Sequence, residues 1–289
     1  MERVIADSEL VINGDGTIFH LHLKPEWVAD TVVLVGDPER VDMVASFFDR
    51  KEIEVRAREF HTITGWYGGK RITCVSHGIG PDNIEIVVTE LDALKNVNFT
   101  TRTVKNSLTS LKMVRIGTSG GLQEICPVGT FVMSEASAGF DGMLNFYELP
   151  DGVVDKELQS ELMRQLEWRD EWNKPYTVWA DKKLVQEIGE GMVKGITITA
   201  PGFYGPQGRY VRIKPADMDL NRKIMAFDYK GMKITNYEME SAALAGMARL
   251  LGHRAVTVCA IIAGRVAKNM NTEYKDSMRE LVKTVLERL

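Results

Sequence analysis

Short runs of apolar and β-branched residues alternate along the chain with longer segments in which apolar residues recur at helical spacing. Runs that are apolar throughout are typical of strands covered on both faces, whereas the longer amphipathic segments favour helices. The predicted strands span residues 31–35, 71–76, 113–116, 130–134, 195–199, 232–235 and 255–262. The predicted helices span residues 38–48, 81–94, 156–168, 182–192, 216–227, 238–251 and 272–289.

This alternation predicts the fold class. Strands that alternate with helices favour an α/β fold with a parallel or mixed sheet. We expect a single three-layer α/β/α domain over residues 1–289, in which helices flank a central mixed β-sheet. Residues 143–194, rich in Trp and charge, are interpreted as an irregular covering segment, and residues 95–110 as an extended surface connection. Such sheets bind ligands at the carboxyl ends of their strands.

Composition and charge narrow the function classes. The chain has 289 residues, of which 44% are apolar and 26% charged, as in ordinary globular proteins. A net charge of −4 favours neither nucleic acid nor a membrane surface, and the longest apolar run, residues 255–264, is too short for a membrane span. Three widely spaced cysteines argue against a disulfide scaffold, and the first residues lack a secretory pattern, so we expect a cytoplasmic protein.

Two predicted strands end in glycine next to arginine. The strand at 31–35 runs into Gly36, Asp37 and Pro38, which suit a helix start, with Arg40 one turn further on. Glycine lets a ligand approach the backbone, and a helix N-terminus favours an anion. The alternative is a plain strand-to-helix turn with a solvated arginine.

The second such strand end reads Met113-Val-Arg-Ile-Gly-Thr-Ser-Gly-Gly. Arg115 lies between apolar residues, and its burial is costly unless it meets an anion or a carboxylate. Thr118 and Ser119 add hydroxyl and backbone donors at the strand end. A structural arginine–carboxylate pair is the alternative. Arg58 becomes a third candidate beside these two, because several guanidinium groups suit a phosphate.

Two further segments suit a heterocycle and a sugar. Residues 202–210 combine Phe203, which can stack on a ring, with Gln207 and Arg209, which can bind its polar edge. Residues 236–241 place Glu238 and Glu240 where a helix is predicted to begin behind an Asn236 cap, and a carboxylate there can hold two vicinal hydroxyls. The alternatives are an ordinary aromatic loop and carboxylates that favour the helix dipole.

Together these segments resemble the uridine phosphorylase branch of the nucleoside phosphorylase family. The resemblance runs from about Phe19 to Arg265, in the same order, and is weak only in residues 95–110 and 143–194. It rests on six short motifs. They are Phe19-His-Leu, Gly36-Asp-Pro-Glu-Arg, Arg58-Glu-Phe, Arg115-Ile-Gly-Thr-Ser-Gly, Phe203-Tyr-Gly-Pro-Gln-Gly-Arg-Tyr and Glu238-Met-Glu-Ser.

The resemblance implies a reaction and a role for each matched residue. The reaction is the reversible phosphorolysis of uridine, with phosphate as co-substrate and no cofactor. The implied phosphate ligands are Gly36, Arg40, Arg115, Thr118 and, from a neighbouring subunit, Arg58. The implied ribose ligands are Glu238, Met239, Glu240 and, again from the neighbour, His20. The implied base-binding residues are Ser119, Gly120, Phe203, Gln207, Arg209 and Arg265. The active unit would be at least a homodimer, and a hexamer is compatible with the same contacts.

Local departures from the family keep alternatives open. The chain reads Gly205-Pro206 where the family has Pro-Gly, and Gly264 where a larger polar residue is expected. Asn83 stands where a serine would complete a potassium site with Glu59 and the carbonyl of Ile79, which puts that ion in doubt. A purine or methylthioadenosine phosphorylase would need an acid near residue 265, a nucleosidase would not need the arginines, and a binding protein without catalysis would need neither phosphate nor turnover.

Overall fold

The strands are described in a computed structural model, which covers residues 3–264 and 268–289. They are β1 Thr31–Val35, β2 Arg50–Ala57, β3 Phe60–Tyr67, β4 Lys70–Ser76, β5 Val97–Asn98, β6 Thr103–Val104, β7 Lys112–Gly121, β8 Phe131–Gly139, β9 Tyr176–Trp179, β10 Val193–Thr199, β11 Ile234–Glu238, β12 Arg254–Gly264 and β13 Asn269–Met270.

The helices follow the predicted positions and are mostly shorter than predicted. They are α1 Pro38–Ala45, α2 Pro81–Asn96, α3 Lys156–Gln165, α4 Lys182–Ile188, α5 Leu220–Ala226, α6 Ser241–Leu250 and α7 Lys275–Arg288. Within the described ranges, no helix combines the length and the apolar composition that a membrane crossing requires.

Eleven strands form one mixed sheet in the order β13-β12-β8-β10-β11-β7-β1-β4-β3-β2, with β9 paired to β8. β7 is parallel to β1 on one side and parallel to β12 on the other, and its last two residues also pair with β11 in the antiparallel direction. Because β12 also pairs with β8, the strands β12, β8, β10, β11 and β7 close on themselves. The carboxyl ends of β1 and β7 therefore lie side by side.

Helices cover both faces of this sheet, as the alternating side chains of β1 show. Val32 and Leu34 enter one apolar cluster with α2 and α6, while Val33 and Val35 enter another with α1, α4 and α7. Strands face alternate sides at every residue, so a strand that is apolar throughout requires two apolar layers. The predicted α/β class, with a mixed sheet between helical layers, is confirmed.

The prediction that Asn236 caps a helix is wrong. Asn236 lies inside β11, where its side-chain oxygen accepts a hydrogen bond from the Thr197 hydroxyl at 2.9 Å, and α6 begins only at Ser241. The strand predicted at 232–235 is accordingly displaced to Ile234–Glu238. Pairing with β10 and β7 outweighs the local preference of Asn for a helix start, because buried backbone groups need partners.

Six of the described strands were missed, and three of them, β5, β6 and β13, are only two residues long. β2 and β3 form an antiparallel pair, and the outer strand, β2, is mostly charged, so it lacks the apolar run by which the other strands were predicted. β9 lies inside the segment 143–194 and pairs with β8, so this segment is only partly irregular and contributes to the sheet. Residues 95–110 hold the end of α2 and the short pairing of β5 with β6.

Candidate active site

A cavity of about 530 Å³ lies at the carboxyl ends of β1, β7 and β11, where the sheet rule predicts a ligand site. It brings together most of the predicted site residues. They are Gly36, Arg40, Arg115, Thr118, Ser119, Gly120, Phe203, Gln207, Arg209, Glu238, Met239 and Glu240. His20 and Arg58 do not line it, and Arg265 lies outside the described residues.

The turn from β1 into α1 places the backbone of Gly36 in the wall of the cavity. Asp37 caps the helix by accepting the backbone N–H of Glu39 at 2.9 Å, and Pro38 occupies the first turn. A Cβ on Gly36 would lie only 3.3 Å from the carbonyl oxygen of Gly78, so the wall between β1 and β4 has little room for a side chain. The backbone of this turn is thereby open to the cavity.

Arg40 is a buried cation without a carboxylate partner in the described part of the chain. Its side chain reaches the Ile116 carbonyl at 3.4 Å, and within residues 3–264 and 268–289 it forms no ion pair. Only 9% of the residue is exposed, and this burial lowers its pKa. A buried charge without a counter-ion is unfavourable unless an anion binds beside it. Arg40 lines the cavity.

Arg115, by contrast, is paired twice. Its Nη1 lies 2.8 Å from Glu238 Oε2, and its Nη2 donates to Glu240 Oε2. Burial disfavours its charge, but Glu240 and Glu238 outweigh that effect and raise the pKa of Arg115. The side chain folds back over Gly117, where a Cβ would lie 2.8 Å from Nη1. The arginine–carboxylate pair that the sequence left open as the alternative is present, and it lies in the wall of the cavity.

The two glutamates differ in their hydrogen bonding. Glu238 accepts the N–H groups of Glu240 and Ser241 at 2.8 and 2.9 Å and the hydroxyl of Thr199 at 2.6 Å, so it ties β10 to the start of α6. Glu240 accepts the Gly80 N–H at 2.8 Å, and burial raises the pKa of Glu240 although Arg115 opposes the shift. Glu240 is therefore better placed than Glu238 to accept further hydroxyls, because a carboxylate has about four acceptor positions.

His77 is a site residue that the sequence analysis missed. Its ring is fully buried, its Nε2 lies 3.2 Å from Nε of Arg115, and its Cε1 would be 3.7 Å from a Cβ on Gly36. Burial, with the nearby charges of Arg115 and Arg40, lowers the pKa of His77 well below its usual value, so the imidazole is neutral and accepts from Arg115. It directly follows β4, which pairs with β1, so the strand-end rule would have found it.

The connection between β10 and α5 forms the side of the cavity that carries three of the predicted base-binding residues. Gln207 is 3% exposed, and its Oε1 accepts a hydrogen bond from Arg209 Nη1 at 2.6 Å. The guanidinium carbon of Arg209 lies 3.7 Å from the centre of the Phe203 ring, and its Nη1 also donates to the Phe203 carbonyl. Phe203 is 46% exposed, so one aromatic face borders the opening. The three predicted base-binding side chains thus form one connected group.

His20 and Arg58 lie together, away from the cavity of their own chain. The ring of Phe19 contacts both, with the His20 ring centre at 4.8 Å and the Arg58 guanidinium carbon at 5.1 Å. Arg58 adopts a left-handed backbone conformation, with φ of 55°, in the tight turn between β2 and β3. The structure therefore groups the two residues for which a neighbouring subunit's site was predicted.

The residues for a potassium ion fit one poorly. Asn83 Nδ2 donates to the Ile79 carbonyl at 3.4 Å, so the amide occupies the oxygen that the ion would need. Another group, Asp42, Glu54 and His61, is compact enough to share an ion, but Arg56 pairs with both carboxylates.

Burial raises the pKa of Cys259, beside Arg115, to about 11, so its thiol is a poor nucleophile.

The fold and this cavity are those expected of a nucleoside phosphorylase, and comparison with known proteins gives the same family. The chain belongs to the phosphorylase superfamily, whose family model matches residues 30–289. It is 30% identical over 281 residues to a uridine phosphorylase of Escherichia coli, covering 93% of this chain and 96% of that protein. It is also 30% identical over 261 residues to a uridine phosphorylase of Thermococcus kodakarensis, covering 87% of this chain and 79% of that protein.

A solved structure shows the same architecture. A nucleoside phosphorylase of Trypanosoma brucei, described as showing uridine phosphorylase activity, superposes with a TM-score of 0.88 at 28% identity. The match covers 97% of this chain and 99% of that chain. The family predicted from the six motifs is thereby confirmed.

Proposed function

We propose that the chain is a cytoplasmic nucleoside phosphorylase, with one catalytic domain over residues 1–289, that converts uridine and inorganic phosphate to uracil and ribose 1-phosphate. The uridine phosphorylases to which it is similar over most of its length support the reaction. The observation that carries the phosphate half is Arg40, a buried guanidinium without a carboxylate partner in the described residues, on the wall of a cavity that also holds Glu240 and Gln207.

The phosphate would lie between the end of β1 and the end of β7. Gly36 offers backbone approach, Arg40 and Arg115 supply charge, and Thr118 adds donors at the strand end. Glu240 would accept the ribose 2′- and 3′-hydroxyls and Met239 would pack against the sugar, while Glu238 would act mainly by holding Arg115 and the start of α6. Phosphate and C1′ would thereby be held in contact, which converts a bimolecular reaction into a unimolecular one.

The chemical step is a displacement at C1′. A phosphate oxygen forms a bond to C1′ as the bond from C1′ to the base nitrogen breaks, and the electron pair of that bond leaves with the base. The sugar has oxocarbenium character at this point, as in glycoside hydrolysis, and the phosphate charge stabilises it. The products are ribose 1-phosphate and a pyrimidine anion, which then takes a proton.

The departing base would be stabilised by Gln207 and Arg209, with Phe203 against the ring and Ser119 and Gly120 beside it. Donors that are already aimed at developing charge need no reorganisation during the step. The hydrogen bond between Gln207 and Arg209 supports this role, because it holds both side chains before the base arrives. Arg265, outside the described residues, would act on a carbonyl of the base.

A partner subunit would complete the site. The cavity is lined by three cations and three anions, so its described charged groups sum to zero; they are Arg40, Arg115, Arg209, Asp37, Glu238 and Glu240. A phosphate dianion needs a further cation, and the family resemblance assigns it to Arg58 of a second copy, with His20 on the ribose. We therefore propose a homodimer as the minimal active unit.

One assay tests the reaction and its rivals. The purified chain is incubated with uridine, thymidine, inosine or methylthioadenosine, with and without inorganic phosphate, and base release is measured by chromatography. We expect uracil to form from uridine only when phosphate is present. Release without phosphate would identify a nucleosidase, release of a purine would identify a purine-cleaving relative, and no release with any substrate would indicate a protein that only binds.

A further inference from the structure

Glu90 is a buried carboxylate on α2 that no step of the proposed reaction uses. It is 7% exposed. Its Oε1 accepts the backbone N–H of His20 at 3.0 Å, and its Oε2 accepts that of Leu21 at 2.9 Å. The same Oε1 lies 2.6 Å from the imidazole Nδ1 of His20. Glu90 therefore holds both the main chain and the ring of His20.

These bonds fix the form of the imidazole. An ionised carboxylate only accepts hydrogen bonds, so the proton of a neutral His20 ring is on Nδ1 and the lone pair is on Nε2. Nε2 has no hydrogen-bond partner among residues 3–264 and 268–289, and 31% of the side chain is exposed. The ring edge against Phe19 limits its rotation further. His20 thus presents one oriented acceptor outward.

A second histidine–carboxylate pair on the same helix shows the contrast. Asp92 Oδ1 lies 3.1 Å from Nε2 of His253. The other ring nitrogen of His253 accepts the Leu111 N–H at 3.1 Å, and the side chain is fully buried. Both nitrogens of His253 face protein groups, so this pair holds structure together. The pair of Glu90 and His20 differs because one nitrogen is left exposed.

We propose that Glu90 is a positioning residue for ribose recognition: it holds His20 so that Nε2 accepts the 5′-hydroxyl of a nucleoside in the partner subunit's site. The inference rests on the proposed function, which assigns His20 to that hydroxyl. A hydroxyl donates one hydrogen bond, so an acceptor held in one orientation selects sugars that carry it. Glu90 thereby sets the preference for a 5′-hydroxyl without touching the substrate.

The test compares uridine with 5′-deoxyuridine, which lacks only that hydroxyl. The ratio of the two kcat/KM values is measured for wild type, His20→Ala and Glu90→Gln, with Asp92→Asn as the matched control from the same helix. We expect a wild-type ratio of roughly ten, the effect of one hydrogen bond, and a ratio near one in His20→Ala. Asp92→Asn should keep the wild-type ratio, because both ring nitrogens of the buried His253 face protein groups.

Glu90→Gln keeps the shape of the side chain but reverses the hydrogen bond to the His20 ring and removes the Oε1 acceptor of the His20 backbone N–H. The Gln amide oxygen can still accept from Leu21, while its NH₂ donates to Nδ1 and moves the ring proton to Nε2. We expect the ratio to fall at least about threefold, through kcat/KM for uridine alone. An equal loss with both substrates, or a fall in His20→Ala but not in Glu90→Gln, would overturn the inference.

A spectroscopic measurement separates this inference from the proposed function. In protein labelled with ¹⁵N at its five histidines, the signals absent from His20→Ala report the His20 ring, at about pH 8 where an ordinary imidazole is neutral. We expect the Nδ1–H form in wild type and the Nε2–H form in Glu90→Gln. The Nε2–H form in wild type would overturn the inference even if uridine is cleaved. Failure of wild type to cleave uridine with phosphate would overturn the proposed function, while this spectrum would still show whether Glu90 fixes the ring.

Discussion

Arg115 Nη1 lies 2.8 Å from Glu238 Oε2, and both side chains are at least 96% buried. Arg40, on the same cavity wall, has no such partner among the described residues. The two arginines proposed to bind phosphate therefore have different structural roles. Arg115 is needed to fold the cavity as well as to bind the anion, whereas Arg40 is held in place by the fold but stabilised only by a ligand. Substitutions at the two positions should separate these effects.

Replacing Arg115 by Ala should destabilise the folded chain as well as abolish activity. The change leaves Glu238 and Glu240 buried without their cation, and breaking such a pair costs about 3–5 kcal/mol. We expect a comparable loss in the free energy of unfolding, measured by urea denaturation. Arg56→Ala is the control, because its pairs with Asp42 and Glu54 are exposed. Near-normal phosphorolysis by Arg115→Ala would contradict the assignment of the anion site.

Replacing Arg40 by Met should have the opposite profile. Removing a buried charge that lacks a counter-ion leaves the stability without phosphate unchanged or higher. Phosphate should raise Tm of wild type, because a ligand that binds only the folded state stabilises it by about 2.7 kcal/mol at a hundredfold excess over Kd. We expect this phosphate-dependent rise to be lost, with KM for phosphate higher on the order of a hundredfold. An undiminished rise in Tm would place the phosphate elsewhere.

Gln207 and Arg209 should act as one unit on the base. Each single Ala variant is expected to lower kcat for uridine on the order of a hundredfold, the effect of removing one donor from a developing charge. Because Gln207 Oε1 accepts from Arg209 Nη1 at 2.6 Å, each variant also removes this hydrogen bond from the other side chain. The double variant should therefore lose less than the two single losses combined. Strict additivity, with KM for phosphate unchanged, would show that the two side chains act separately.

His77 should make the folded chain less stable in acid. Its pKa is lowered on folding, so the unfolded chain takes up the proton at a higher pH than the folded chain. Stability is then complete above the ordinary histidine pKa of about 6.5 and is lost as pH falls below it, by at most about 1.4 kcal/mol per pH unit for one proton. His77→Gln keeps an acceptor for Arg115 but cannot titrate.

The measurement is urea denaturation between about pH 7 and pH 5. We expect the free energy of unfolding to fall less steeply in His77→Gln than in wild type. His22→Asn, a change at an exposed position, should follow the wild-type slope. Equal slopes in wild type and His77→Gln would mean that folding does not lower the pKa of His77.

A strand or helix could be predicted from the sequence where its own side chains show that it is buried or where it begins. β1 spans the predicted residues 31–35 because each of its side chains faces an apolar layer, and α1 begins at the predicted Pro38 because Asp37 caps it. β7 is longer than predicted, since three of the five residues 117–121 are glycines, which do not favour a strand. These glycines are held in the sheet by β12 and β11, which are far away in the sequence.

The site could be predicted as a set of residues but not as a set of contacts. The strand-end rule brought Arg40 and Arg115 together, yet nothing local indicated that Arg115 is neutralised by Glu238 and Glu240 across the sheet. Asn236 misled the helix assignment because its partner, Thr197, lies on another strand. The role of Glu90 depends on its contact with His20, seventy residues earlier.

The cavity wall is made in two ways. The residues of this chain that are proposed for phosphate and sugar stand at strand ends or in the first turn beyond them, whereas the side chains of Phe203, Gln207 and Arg209 stand on the connection of residues 200–219 between β10 and α5. Surface connections accept insertions and replacements that strands do not. A change confined to this loop can therefore alter which base the cavity accepts, while the proposed phosphate and sugar contacts stay as they are.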